Sequence, residues 1–203
     1  MTDANADAGG MGETQPRFEV VALAASAGGL TALSEVLGAL PADFAAAIVL
    51  VQHLDPNHKS LMAEILGRRT SLTVRQAADG DRIAPGGVWV APPAHHLLVN
   101  GDSTLSLTRT EMVHFVRPSA DLLFESVAAG FGPRAIAVIL TGTGVDGEMG
   151  VRAVRKTGGL VIAQDKATSE FFGMPGSAIQ TGCVDLILPL PEIAPTLIRL
   201  VTR

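Results

Sequence analysis

Hydrophobic positions along this chain fall into short continuous runs separated by stretches of helical periodicity. Residues 18–25 form an apolar run broken only by Glu19, and residues 45–51 form a second. Runs without polar alternation suit strands that are buried on both faces, as in parallel sheets. Between them, residues 30–40 have the spacing of an amphipathic helix and stop at Pro41. Beyond Gln52 and His53 the sequence predicts a turn through Asp55, Pro56 and Asn57, then a helix reaching about Arg69. Further strands are expected at 135–140, 160–163 and 184–188. Helices are expected at 119–129 with Pro118 at the start, at 148–156, near Ser177, and at 192–200. Residues 72–108 differ, because short extended pieces around Val74, 88–91, 97–99 and 105–107 are punctuated by glycine and proline. That section predicts an antiparallel hairpin region laid on the side of the main sheet. Strand, helix and strand repeated with crossovers of this length predict a doubly wound, mostly parallel open sheet. The expected fold is therefore Rossmann-like α/β with three layers, α/β/α.

Composition narrows the picture. A chain of 203 residues fits one domain with a full-sized core, and 47% hydrophobic against 17% charged residues excludes global disorder. Tyrosine is absent and tryptophan occurs once, so the core is aliphatic and alanine-rich. Residues 1–16 are small, polar and glycine-rich, which reads as a disordered leader or linker remnant ahead of a domain spanning 17–203. No basic segment followed by an apolar run opens the chain, and no apolar stretch reaches about 18 residues. A cytoplasmic location without membrane insertion is the expectation. The net charge of -5 gives nucleic acid no footprint. Small basic groups such as Arg68 and Arg69, or Arg152, Arg155 and Lys156, read as solvated helix faces, with a docking surface for an acidic protein as the alternative. Cys183 is the single cysteine, so an intrachain disulfide is excluded and burial as a small hydrophobe is expected.

Sheets of this kind put ligands beyond the carboxyl ends of their strands. Ser26, His53 and Asp146 each follow a predicted strand end. Ser26 lies in Ala25-Ser26-Ala27-Gly28-Gly29, a strand-to-helix turn close to the hydrolase elbow G-x-S-x-G but with Ala24 in place of the first glycine. Such a turn can hold a hydroxyl clear of the sheet while helix-end N–H groups of Ala27 and Gly28 face an anionic oxygen. A serine hydroxyl needs a base, and the base needs a carboxylate that fixes its tautomer. Of five histidines, His53 directly follows a long buried strand; His58, His95, His96 and His114 lie in turns or in the irregular section. Asp146, in Thr141-Gly142-Thr143-Gly144-Val145-Asp146-Gly147, is the third candidate. Taken singly, each residue also fits a cap, a turn or a surface position. Together they make a Ser, His, Asp order.

The second glycine loop supports a rival. Gly142-x-Gly144-x-x-Gly147 matches the dinucleotide fingerprint, with Asp165 about twenty residues later. A dinucleotide-binding oxidoreductase is therefore one alternative, although Asp146 would put negative charge where pyrophosphate binds. A catalytically silent scaffold, with the three residues held apart, is another.

Several separated motifs give the chain a broader resemblance. Ala25 to Gly29, Val51-Gln52-His53, Ile83-Ala84-Pro85-Gly86-Gly87, Ala91-Pro92-Pro93-Ala94-His95, Arg117-Pro118-Ser119-Ala120-Asp121-Leu122-Leu123-Phe124 and Leu140 to Gly147 occur in order. Gly158-Gly159, Ala163-Gln164-Asp165, Thr168-Ser169 and Gly173-Met174-Pro175 follow. From about Val20 to Leu200 the sequence resembles the catalytic domain of chemotaxis protein-glutamate methylesterases (CheB). The resemblance implies a hydrolase with Ser26 as nucleophile, His53 as base, Asp146 as orienting carboxylate, and no metal or organic cofactor. It also implies adaptation chemistry on the cytoplasmic helical domain of methyl-accepting chemotaxis receptors: cleavage of glutamate methyl esters and deamidation of glutamines. Backbone N–H groups at Ala27, Gly28 and Thr143 are the oxyanion candidates. The chain departs from the usual pattern at Ala24 and Ala27, where glycine and threonine are common, and at Thr143, where methionine is usual. Phe171 and Phe172 read as core packing or as a contact element, and Arg117 as a substrate-orienting cation or a structural ion pair. Residues 1–16 are too few for the receiver domain that such enzymes typically carry. A freestanding esterase and a segment of a longer protein, such as a methylesterase–methyltransferase fusion, both remain open.

Overall fold

The computed structural model describes residues 18–53 and 60–202. Strands β1 (Val20–Ala25), β2 (Ala47–Gln52), β3 (Thr73–Gln76), β4 (Gly87–Val90), β7 (Ala135–Ile139), β8 (Leu160–Gln164) and β9 (Leu186–Leu188) form a seven-stranded sheet. Its order is β3-β4-β2-β1-β7-β8-β9 and every pairing is parallel. Strands β5 (His96–Val99) and β6 (Leu105–Thr108) pair antiparallel in a separate hairpin. The expected hairpin region is thus half right. β3 and β4 extend the main sheet because Thr73 to Gln76 align with Gly87 to Val90, and β4 then pairs with β2. Only β5 and β6 leave the plane, to pack beneath a helix.

Six helices complete the described fold: α1 (Gly29–Gly38), α2 (Met62–Gly67), α3 (Ala120–Phe131), α4 (Glu148–Lys156), α5 (Gly173–Gln180) and α6 (Leu190–Val201). None is long and apolar enough to cross a membrane. Alternation along β1 divides the core in two. Val21, Leu23 and Ala25 join Leu33, Leu37, Leu66, Ile193 and Leu197 on the face covered by α1, α2 and α6. Val20, Ala22 and Ala24 join Leu97, Leu123, Phe124, Val127, Val151 and Val154 on the face covered by α3, α4 and the hairpin. With both faces covered, every residue of β1, β2 and β7 is buried, which explains their apolar runs. Residues 1–16, the expected leader, lie outside the described residues.

Winding proceeds from β1 outward through β2 toward β3, then returns to the other side of β1 for β7, β8 and β9. The strand order therefore reverses beside β1, and a crevice opens there beyond the carboxyl ends of β1, β2 and β7. α3 is close to this crevice because it packs tightly on α4. Gly150 permits that approach: a Cβ there would stand 2.6 Å from Phe124 Cβ and 3.1 Å from the Asp121 backbone. We expect Gly150→Ala to force these helices apart and lower the unfolding free energy by about 1–3 kcal/mol. Denaturant titration measures this, with an unchanged midpoint as the contrary result.

Candidate active site

Ser26 and His53 are neighbours through strand register. Ala25 pairs with Gln52 across β1 and β2, so the next residue of each strand emerges side by side at the sheet edge. The His53 N–H donates to Ala25 O at 3.1 Å, and Ser26 N–H donates to Thr141 O, beyond β7, at 3.0 Å. Gln52 joins the first two loops with one amide, donating to Ser26 O at 2.7 Å and His53 O at 3.1 Å. A Cβ on Gly29 would lie 2.0 Å from the Gln52 side-chain oxygen, so the first residue of α1 must be glycine for this bridge to fit.

Asp146 comes from the β7–α4 loop and points into the start of α3. Its carboxylate accepts from the Ser119 hydroxyl at 2.8 Å and from the Ala120 and Asp121 N–H groups at 2.6 and 3.1 Å. The fourth contact is His53 Nε2, 2.8 Å from Oδ2. Burial leaves Asp146 only 3% exposed and pushes its carboxyl up. The His53 hydrogen bond, the Ala120 N–H, the His53 charge and the Asp121 N–H outweigh that burial and hold it below the ordinary carboxylate value. An ionised Asp146 accepts a proton-bearing Nε2, so Nδ1 is the ring nitrogen left with a lone pair.

Ser26, His53, Thr143, Gly144, Val145 and Asp146 line one cavity of about 320 Å³. Among the described residues, the Ser26 hydroxyl and the His53 ring make no direct hydrogen bond. They share the cavity wall, and in unliganded enzymes such contacts are often long. The Ala27 and Gly28 N–H groups donate to no protein acceptor among the described residues, and both lie where α1 begins. Gly28 has φ 75°, and a Cβ there would meet Glu170 Oε2 at 2.7 Å, so no other residue keeps this turn open. Thr143 is exposed on the facing loop. Among the described residues, no group of three histidine, cysteine or acidic side chains is arranged to hold a metal ion.

The loops are held from behind by two buried residues that the sequence reading did not assign. Gln164 accepts from Thr141 N–H at 2.8 Å and donates to Thr168 O at 2.8 Å. Thr141 donates its hydroxyl toward Ala27 O at 3.0 Å and accepts from Phe171 N–H at 2.9 Å. Phe171 O in turn accepts from Gly142 N–H. The main chain of Phe171 is therefore a clamp on the Gly142 loop while its ring is exposed, so core packing does not describe it. Among the described residues Arg117 forms no ion pair; it donates to the Arg109 and Thr110 carbonyls. His95 and His96 serve the hairpin region, through Pro93 O and Arg109 for the former and Glu111 O for the latter. His58 lies outside the described residues. Cys183 is half-buried, short of the full burial expected of it.

This geometry supports neither alternative. The Gly142 loop has no room for a pyrophosphate at Gly142, where even a Cβ would lie 2.5 Å from Met174 Sδ and 2.8 Å from Ser26 Cβ. Asp165, the proposed ribose acceptor, is occupied by the Thr168 N–H and hydroxyl at 2.9 and 2.7 Å. A silent scaffold would hold Ser26, His53 and Asp146 apart, whereas His53 and Asp146 stand in hydrogen-bond contact and Ser26 lines the same cavity.

A second carboxylate, Asp121, is buried in the first turn of α3. Burial, with Asp146 adding to it, pushes its carboxyl above the ordinary value of 3.8 despite the Gly150 N–H and His114. The two aspartates have opposite linkage. Asp146, depressed in the fold, contributes stability above the unfolded value that is lost as pH falls through the folded one. Asp121, raised, contributes stability below the unfolded value that is lost as pH rises through the folded one. We expect Asp121→Asn to flatten the decline of unfolding free energy above about pH 4, and Asp146→Asn to flatten the loss below it. Denaturant midpoints across this range decide; slopes identical to the parent would contradict the assignment.

Comparison with known proteins places this fold in a family. The CheB methylesterase family profile matches residues 21–197. A protein-glutamate methylesterase/protein-glutamine glutaminase of Moorella thermoacetica is 44% identical over 97% of this chain and 47% of its own length. A second such protein, from Burkholderia lata, is 48% identical over 91% of this chain and 54% of its own. The chain thus spans about half the length of these curated relatives. A putative protein-glutamate methylesterase/protein-glutamine glutaminase of Leptospira interrogans is 39% identical, covering 90% of this chain and 95% of that protein. The crystal structure of the Thermotoga maritima CheB methylesterase catalytic domain superposes with a TM-score of 0.87 at 38% identity, covering 91% of this chain and 99% of that one. A serine, a histidine and a buried aspartate converging where the strand order reverses thus accompany similarity along nearly the whole sequence, and the chain belongs to the CheB methylesterase family.

Proposed function

We propose that residues 17–203 form a protein-glutamate methylesterase unit that hydrolyses glutamate γ-methyl esters, and deamidates glutamines, on the cytoplasmic helical domain of methyl-accepting chemotaxis receptors. The observation that carries this reading is the His53 to Asp146 contact of 2.8 Å beside Ser26. Its place of action is the cytoplasm, where that receptor domain lies.

Each step follows from what the residues can do. Asp146 holds Nε2–H, so His53 Nδ1 takes the Ser26 proton as Oγ bonds to the ester carbonyl carbon. The carbonyl oxygen becomes an oxyanion beside the Ala27 and Gly28 N–H groups, with Thr143 N–H on the facing loop as a further donor. Collapse breaks the carbon–oxygen bond to methanol, which receives the proton from His53. Water, deprotonated by the same nitrogen, then attacks the acyl carbon and releases glutamate and free Ser26. For a glutamine the leaving group is ammonia and the sequence is the same. Ala24 and Ala27 are small, so the turn keeps its form, while Thr143 changes the lining of the acyl pocket and leaves its backbone donor in place.

Ser26→Ala is expected to cut methanol release from a methyl-esterified receptor fragment by roughly 10³-fold or more, and Asp146→Asn by a comparable factor. Gas-chromatographic measurement of methanol from the purified chain decides. Release by the Ser26→Ala protein at the parent rate would refute the reading.

A further inference from the structure

One wall of the catalytic cavity belongs to a segment that the reaction does not use. Val113 and Val116 bridge antiparallel and close a turn whose central residues, His114 and Phe115, have φ of 48° and 64°. Glycine and asparagine favour that left-handed conformation, and a phenylalanine there is strained. Packing does not compensate, since Phe115 is 95% exposed.

The turn approaches α3. His114 Nε2 stands 3.2 Å from Asp121 Oδ2, within ion-pair reach but outside hydrogen-bond geometry, and Asp121 Oδ1 accepts from Gly150 N–H at 2.8 Å. Asp121 lies in the same first turn of α3 that holds Asp146. His114, Phe115 and Val116 line the cavity together with Ser26 and His53. Other exposed large apolar residues gather nearby: Val145 on the cavity, Met149 in the first turn of α4, Phe171 hydrogen-bonded through its main chain to the Gly142 loop, and Met112 beside the turn. Single exposed apolar side chains need no explanation, whereas a group around one cavity marks a contact surface.

We propose that the His114–Phe115 turn seats the protein substrate, with Phe115 packing among apolar side chains of the helix that carries the ester. His114, tied to Asp121, is the positioning residue that sets the height of this turn at the cavity mouth. The inference rests on the methylesterase reading. A glutamyl side chain is short, so a helix whose ester reaches Ser26 has its own surface against the rim. That continuity selects a helical segment as the occupant.

Two measurements test the proposal. In the inert Ser26→Ala background, calorimetric binding of a methyl-esterified receptor fragment is compared with and without Phe115→Gly. In the active chain, kcat and KM are measured for Phe115→Gly, Phe115→Trp and His114→Ala. Phe115→Gly should weaken binding and raise KM at least about fivefold, with kcat within about twofold and a thermal midpoint no lower than the parent. Phe115→Trp should restore KM, and His114→Ala should raise it. Binding and KM indifferent to Phe115→Gly, or no binding by either protein, would overturn the proposal. So would a dimer abolished by Phe115→Gly with KM unchanged, which assigns the rim to a second copy. Failure of the esterase reading is distinguishable, because it abolishes Ser26-dependent methanol release while leaving the calorimetric comparison intact.

Discussion

Everything at this site depends on a buried carboxylate held at the start of a helix. Removing a carboxylate from water costs several kcal/mol even after relaxation. Asp146 meets that cost with four donors: His53, the Ser119 hydroxyl and the Ala120 and Asp121 N–H groups. At about 1.5–3 kcal/mol for each bond to a charged group, the set offsets the penalty. The positive end of α3 adds to it. The consequence reaches the histidine. With Asp146 ionised and immobile, the His53 ring has one orientation and one tautomer, and the nitrogen left without a proton is the basic one.

The remainder of the structure brings that carboxylate to the serine. β1 lies between β2 and β7, so the residue after β1 has a neighbour on each side. His53 arrives from one side by register, and the Thr141 to Gly147 loop arrives from the other. Gln52, Thr141 and Gln164 then lock the loops to each other through side chains that are almost wholly buried. Their removal would leave backbone groups unpaired in a dry interior, which is costlier than the loss of a surface contact. Rigidity near the chemistry thus comes from amides and hydroxyls behind the loops.

Much of this was legible in the residues, for physical reasons. Strands buried on both faces leave uninterrupted apolar runs, so β1, β2, β7 and β8 stood out, and α4 was placed at its observed bounds, Glu148–Lys156. Short edge strands carry less of that signal. β3 is largely exposed and its burial pattern resembles a hairpin strand, so its place in the main sheet depends on a crossover that local pattern does not encode. At the site, Ser26, His53 and Asp146 were found by their positions after strands. The support for Asp146 was hidden, because Ser119 and Asp121 are distant in sequence and read only as a helix start. His114 was hidden for the same reason: its partner Asp121 and its cavity appear only when α3 is folded against the sheet.

The state of the His53 ring offers the most direct test of this account. Nitrogen-15 NMR of the imidazole near neutral pH, in the parent and in Asp146→Asn, reports which nitrogen carries the proton. The account predicts that the neutral form of the ring carries its proton on Nε2 in the parent, with a bare Nδ1 and a clear loss of that tautomer preference in Asp146→Asn. A parent ring protonated at Nδ1, or a preference unchanged by the substitution, would contradict it.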